Sequence, residues 1–147
     1  LRHQLFRDEV WRKTPLFYKT SFSNGDSVLK EEILVSIPIK TVGELNVREH
    51  WAEAKKRHDA QKMAVHAVFK NITSKPTLPC QVTLTRVGKR RLDSDNLIDS
   101  FKWIRDAVAD NLIPGKLPGR ADDSPKISWQ YSQESGREYS VIIKINF

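Results

Sequence analysis

The sequence predicts an α+β fold: a single domain with a mixed β-sheet and two main helices, in the order β-α-β-α-β-β after an N-terminal hairpin. Strands are indicated by segments in which apolar residues alternate, and helices by two longer stretches with apolar residues at three- and four-residue steps. The length of 147 residues suits one domain with its own core. The N-terminal stretch looks like an addition to this core. We accordingly divide the chain into an N-terminal extension or hairpin, residues 1–30, and a main domain, residues 31–147.

The first half of the chain contains a hairpin signal, a strand and a long helix. Asn24 and Gly25 lie between β-forming residues within Leu16–Val28, the pattern of a tight turn between two strands. Glu32–Ile39 alternates, with its apolar side chains on one face, as in a half-buried strand. Apolar residues then recur with helical spacing from about Asn46 to Phe69, which predicts one amphipathic helix.

The second half repeats the strand-helix order and ends in two strands. Gln81–Val87 alternates like a strand, and Asp95 is a suitable N-cap for a helix that runs to about Leu112. Two prolines and two glycines within Ile113–Ala121 predict a loop. The final strands are predicted at Lys126–Gln133 and Glu138–Phe147.

Composition restricts the partners and the location. The net charge of +7 and the pI near 9.6 favour polyanionic partners, although a basic surface without a partner remains an alternative. No apolar run approaches the roughly 18 residues of a membrane span, and no signal-peptide pattern is present, so we expect a cytoplasmic protein without a membrane partner. The single cysteine, Cys80, excludes an internal disulfide and is predicted to be a small buried hydrophobe.

Two acidic pairs are the candidate functional residues. Asp93 and Asp95 follow a basic cluster, and a strand that ended near Leu92 would direct both carboxylates to the same side. Asp122 and Asp123 form the second pair. Carboxylate oxygens are the ligands that Mg²⁺ prefers, and neighbouring cations can hold phosphate. The alternative, a helix cap and a turn with structural roles only, stays open at this point.

The stretch Arg91–Leu97, with its Asp-x-Asp-Asn-Leu core, resembles the RusA family of Holliday-junction resolvases. The helix after it and the later Asp122, Asp123 and Ser124 add to the resemblance, which extends in element order from about Glu32 to Phe147. The resemblance implies a RusA-like fold and nuclease domain.

The resemblance also implies an activity. It is that of a homodimeric endodeoxyribonuclease, dependent on Mg²⁺ or Mn²⁺, that resolves four-way DNA junctions by paired nicks during recombination and repair. Asp93, Asp95 and Asp123 match the catalytic, metal-binding aspartates of the family, and Asp122 could exchange with Asp123 if the register shifts by one residue. A bacterial or phage-encoded cytoplasmic protein is implied.

One position departs from the family, which commonly has a lysine four residues after the second aspartate. Here that residue is Asp99, on the same helix face as Asp95. Either Asp99 joins the metal ligands, or a nearby cation supplies the phosphate contact, or activity is weakened. The DNA-binding candidates are Lys89, Arg90, Arg91 and Lys102, and the helix cations Lys55, Lys56, Arg57 and Lys62 would extend the basic surface.

Three other functions remain open from the sequence. The chain could be a catalytically weak or inactive DNA-binding protein of the same fold, for which Asp99 is the strongest argument. It could be a nuclease that acts on other branched DNA or on RNA, because carboxylates and cations do not specify the shape of the nucleic acid. It could also be a small structural domain, which would bind neither Mg²⁺ nor DNA.

Overall fold

The computed structural model describes residues 16–23, 29–72 and 75–147 and confirms the α+β class. The strands are β1 (Leu16–Ser23), β2 (Leu29–Ile37), β3 (Cys80–Gly88), β4 (Ile127–Ser135) and β5 (Ser140–Asn146). The helices are α1 (Trp51–Asn71), α2 (Ser94–Ser100) and α3 (Lys102–Leu112), and a short 3-10 turn covers Glu44–Asn46.

The described strands form one mixed sheet in the order β1-β2-β5-β3-β4. Strand β1 pairs antiparallel with β2, which is the strand predicted at Glu32–Ile39, rather than within a separate hairpin of residues 16–28. The predicted turn at Asn24 and Gly25 lies outside the described residues. Strands β3 and β4 are the parallel pair. A parallel pair needs a crossover connection, and α2 and α3 supply it here.

The core lies on one face of the sheet, where alternate residues of neighbouring strands are in register. Val35 of β2 and Leu84 of β3 both pair with Ile143 of β5, and all three are buried. Helix residues such as Val65 and Ile104 are fully buried in the same cluster. The period of two in the strands therefore places one row of side chains against the helices.

The second predicted helix is divided in two, which corrects the expectation of one helix from Asp95 to Leu112. Phe101 ends α2 and has φ −94° and ψ 0°. The buried Ser100 donates its hydroxyl to the carbonyl of Leu97 at 2.6 Å, a bond that competes with the helical pattern and bends the chain. The first helix begins at Trp51 rather than near Asn46.

Two further details at the candidate site differ from the sequence prediction. Strand β3 ends at Gly88, so Asp93 and Asp95 do not continue an extended strand. The N-cap of α2 is Asp93 rather than Asp95, which lies in the first helical turn. Cys80 is buried as predicted, and burial raises the pKa of its thiol.

Candidate functional site

The loop of residues 89–92 connects β3 to α2 and delivers the first aspartate. Arg86, on β3, donates from Nη1 to the carbonyl of Arg90 at 2.7 Å and from Nε to the carbonyl of Thr41 at 3.5 Å. Gly88 leaves room for this side chain, because a Cβ there would lie 2.7 Å from the guanidinium Nη1. The first part of the loop is thus held by a buried cation.

The last residue of this loop is held from the neighbouring strand. Gln133 of β4 accepts from the backbone N–H of Leu92 at 2.9 Å and donates from Nε2 to the Leu92 carbonyl at 2.8 Å. Both backbone groups of Leu92 are therefore satisfied by one amide side chain, as they would be in a sheet. Asp93 is the next residue.

Asp93 is an exposed carboxylate that caps α2. Its Oδ1 accepts from the backbone N–H of Asn96 and its Oδ2 accepts from the Asn96 side-chain amide, both at 2.9 Å. These two bonds hold the pKa of Asp93 below its usual value, so it is ionised at neutral pH. Gly43 permits this arrangement, since a Cβ there would lie 2.8 Å from Asn96 Oδ1.

Asp95 and Asp99 lie one turn apart on α2. The Asp95 carboxylate is exposed and makes no hydrogen bond or ion pair with the rest of the described chain. Asp99 is half-buried, and its Oδ2 accepts from the backbone N–H of Leu45 at 3.0 Å. The residue that departs from the family pattern therefore fastens the 3-10 turn to α2.

Replacing Asp99 tests this structural contact. We expect Asp99→Lys to lower the free energy of unfolding by about 1 kcal/mol, because the N–H of Leu45 loses its acceptor. Asp99→Asn keeps an oxygen acceptor and should cost less. Urea unfolding of both variants measures the difference, and equal stabilities would contradict this role. Nicking activity per folded Asp99→Lys molecule is expected to equal or exceed that of the wild type.

The second acidic pair lies apart from Asp93. Asp122 is half-buried, its Oδ2 is 3.4 Å from Arg105 Nε, and its carbonyl accepts from Trp129 Nε1 at 3.1 Å. Trp129 and Gln133 are four residues apart on β4, which is about 13 Å along the strand. Trp129 contacts Asp122, and Gln133 binds the residue before Asp93, so Asp122 and Asp93 lie near opposite ends of β4. Asp123, the third predicted catalytic residue, is exposed beside Asp122.

Asp106 belongs to the neighbourhood of Asp122, and nothing in the sequence singled it out. Burial, and then the charge of Asp122, raise the pKa of Asp106 from 3.8 to about 6. Asp110 also raises it, whereas Lys102 and Lys62 oppose the shift. The loop after α3 is fastened nearby, since the Gly119 N–H donates to the Asp110 carboxylate at 3.2 Å.

The raised pKa of Asp106 predicts a pH-dependent stability. Between about pH 4 and pH 6 the folded chain holds a proton that the unfolded chain has lost, so this contribution to stability falls as pH rises through that window. We expect Asp106→Asn to raise the free energy of unfolding at pH 7.5 by on the order of 1 kcal/mol, allowing for solvent screening, and to leave it nearly unchanged at pH 4. Urea unfolding at both values checks this.

Asp59→Asn is the control for that measurement. Asp59 is paired with Lys55 at 2.6 Å, and this contact keeps the pKa of Asp59 low. Its replacement should give no gain at pH 7.5. An equal effect of Asp106→Asn at the two pH values would contradict the assignment.

The predicted DNA-binding cations differ in their surroundings. Lys89, Arg90 and Arg91 are all exposed on the loop before Asp93. Lys102 is exposed and lies 4.9 Å from the ring centroid of Trp103. Arg57 is not available for DNA in this structure, because its guanidinium binds the carboxylates of Glu44 and Glu49.

The described residues contain no group of three or more His, Cys, Asp or Glu side chains placed to hold a metal ion. Asp93 and Asp95 lie together at the start of α2, whereas Asp123 lies beside Asp122. The three histidines in the described residues are separate, as predicted: His50 caps α1, His58 stacks on Trp103 and His66 bonds Asn111.

Comparison with models of known protein families found no match, and comparison with curated protein sequences found none either. Within the described part of the chain, every helix is too short or too polar to cross a lipid bilayer.

Sequence reasoning missed the two residues that hold the loop before Asp93. Arg86 carried a signal, since it is a charged residue in the apolar row that contains Val82 and Leu84. Gln133 carried none, because an amide on an alternating strand is ordinary. Only the parallel pairing of β3 and β4, which makes Arg86 and Gln133 partners, brings them together.

Proposed function

We propose that the protein is a Mg²⁺-dependent endodeoxyribonuclease that nicks four-way or other branched DNA. The observation that carries the proposal is the placement of two exposed carboxylates, Asp93 and Asp95, at the start of α2, directly after the exposed cations of residues 89–91. The resemblance of Arg91–Leu97 to the RusA family supports the same activity. Carboxylates that can bind a metal ion and cations that can bind phosphate are thus close together in one short segment.

The donor set at this segment fits Mg²⁺ held jointly with substrate. Mg²⁺ is commonly bound by one or two carboxylates, with waters and substrate phosphate completing its shell. Asp93 and Asp95 supply two carboxylates, and the Asp99 carboxylate, which accepts from the Leu45 N–H, lies one turn beyond Asp95 on α2. When bound there, Mg²⁺ or Mn²⁺ would polarise the scissile phosphate and lower the pKa of water. Asp123 and Asp122 would complete the donor set only in a different arrangement of residues 113–126.

The protein's own contribution is to bind and orient the phosphodiester. Lys89, Arg90 and Arg91 are exposed cations that can contact flanking phosphates, which positions the backbone without reading the sequence. Asp93, the N-cap of α2, accepts two hydrogen bonds from Asn96, which lower the pKa of its carboxyl and orient it. The loop that carries these groups is fixed to β3 and β4.

The proposal includes a homodimer. A four-way junction is two-fold symmetric, and a C2 dimer would offer each of two opposed strands an equivalent site. Sedimentation at micromolar concentration measures this, and a monomer that still makes paired nicks would contradict it.

A non-catalytic DNA-binding protein is the second candidate, and Asp99 in place of lysine is the observation that favours it. Separate measurements of DNA binding and of DNA cleavage distinguish the nuclease from the non-catalytic protein. The chain should bind a synthetic four-way junction more tightly than a linear duplex in chelator, with an affinity that falls as salt rises. Mg²⁺ should then start nicking of the bound junction. Salt-sensitive binding without nicking would identify the non-catalytic protein, and no binding would sink both candidates.

A further inference from the structure

We infer that Gln133 and Arg86 are positioning residues, which hold the loop backbone before Asp93 and so position its carboxylate. This inference rests on the proposed function. The two residues are register partners on the parallel strands β3 and β4. Both side chains reach beyond the strand ends to the same loop. Arg86 binds the carbonyl of Arg90, and Gln133 binds both backbone groups of Leu92.

The geometry of Gln133 suits an amide. A side-chain amide carries an acceptor oxygen and a donor nitrogen side by side, so it can accept from a backbone N–H and donate to the carbonyl of the same residue. The two bonds, at 2.9 and 2.8 Å, give Leu92 the pairing of a strand residue although β3 has ended at Gly88. They fix the backbone one residue before the carboxylate, and the Asn96 contacts of Asp93 then fix its side chain.

Arg86 adds a second fixed point and a charge. It is only 5% exposed and has no carboxylate partner in the part of the chain that the structure describes. A buried guanidinium without a counter-ion is costly, and burial lowers the pKa of Arg86 accordingly. Its bonds to the carbonyls of Thr41 and Arg90 join the segment before the 3-10 turn to the loop.

The test compares Gln133→Leu with Gln130→Leu, a matched change at an exposed glutamine on the same strand. For Gln133→Leu we expect amide exchange of Leu92 at least tenfold faster than in the wild type. The Mg²⁺ concentration for half-maximal nicking should rise about tenfold, as is typical when a ligand loses its outer support. Junction affinity in chelator should stay within about twofold of the wild type. Gln130→Leu should change none of these.

Conservative variants separate positioning from loss of fold. Gln133→Glu keeps the acceptor for the Leu92 N–H but loses the donor, so its Leu92 exchange should lie between those of the wild type and Gln133→Leu. Arg86→Lys should keep more activity than Arg86→Met, because it retains a donor and the charge. Thermal unfolding of each variant verifies that the chain is folded during the measurements.

The inference and the proposed function can fail separately. Amide exchange at Leu92 requires no cleavage, so a rate for Gln133→Leu equal to that of Gln130→Leu overturns the inference whatever the activity. A wild-type chain that never nicks DNA overturns the proposed function alone. Changed exchange with an unchanged Mg²⁺ requirement would show that the pair supports the loop but does not position a metal ligand, which also overturns the inference.

Discussion

Asp93→Asn and Asp95→Asn are each expected to reduce Mg²⁺-dependent nicking of a four-way junction by about a thousandfold, a loss of roughly 4 kcal/mol of transition-state stabilisation. Each change removes an anionic ligand without altering the size of the side chain. Junction binding in chelator should be equal or tighter, since a negative charge near phosphate is removed. Single-turnover nicking with pre-bound junction measures the first effect, and titration of labelled DNA measures the second.

The fold should survive both changes. Asn at position 93 keeps a side-chain oxygen that can accept from the Asn96 N–H, and asparagine is among the best N-cap residues. Asp59→Asn, a carboxylate-to-amide change on α1, is the control and should nick normally. Full activity in either Asp93→Asn or Asp95→Asn would remove that residue from the site.

Phe101→Ala is expected to lower the free energy of unfolding by about 3–5 kcal/mol, the usual cost of deleting a buried phenyl ring. Phe101 is fully buried at the joint between α2 and α3, and its ring stacks on Tyr131 of β4 with centroids 5.9 Å apart. Because domains of this size are stable by only about 5–15 kcal/mol, much of the total would be lost. Urea unfolding measures the change.

Ile98→Ala is the matched control, because Ile98 is an apolar residue of the adjoining α2 and is 46% exposed. Its replacement should change stability by less than about 0.5 kcal/mol. If Phe101→Ala lowered the free energy of unfolding by less than about 1 kcal/mol, the ring would not stabilise the junction between α2 and α3. The variant should also weaken nicking at temperatures where it remains folded, since α2 carries the candidate carboxylates.

Much of the fold was predictable because its signals are local. The alternation of Ile33, Val35 and Ile37 reflects a strand with one buried face, and the same period marks β3. The division of the second helix was not predictable from spacing, since the apolar positions continue through Phe101. At the break, the Ser100 hydroxyl donates to the Leu97 carbonyl, a side-chain bond of a kind that bends helices.

The candidate site was predictable in part. The pair Asp93 and Asp95 could be found from its place after a basic cluster, but the assignment of the N-cap shifted by two residues because the chain leaves β3 at Gly88. The relation of Asp123 to this pair depends on residues 113–126, whose path no local pattern fixes. The contacts of Gln133 with Leu92 are long-range and follow from the parallel pairing of β3 and β4, and Asp106 lies near Asp122 and Lys62, which are distant from it in the sequence.

The most direct test of the proposed function is incubation of the wild-type chain with a four-way junction labelled on two opposed strands, beside a matched linear duplex, in Mg²⁺ and in chelator. We predict paired nicks in the junction alone, lost when Mg²⁺ is chelated. Equal nicking of the duplex, or no nicking of the junction in Mg²⁺ despite salt-sensitive binding, would contradict a junction-selective nuclease.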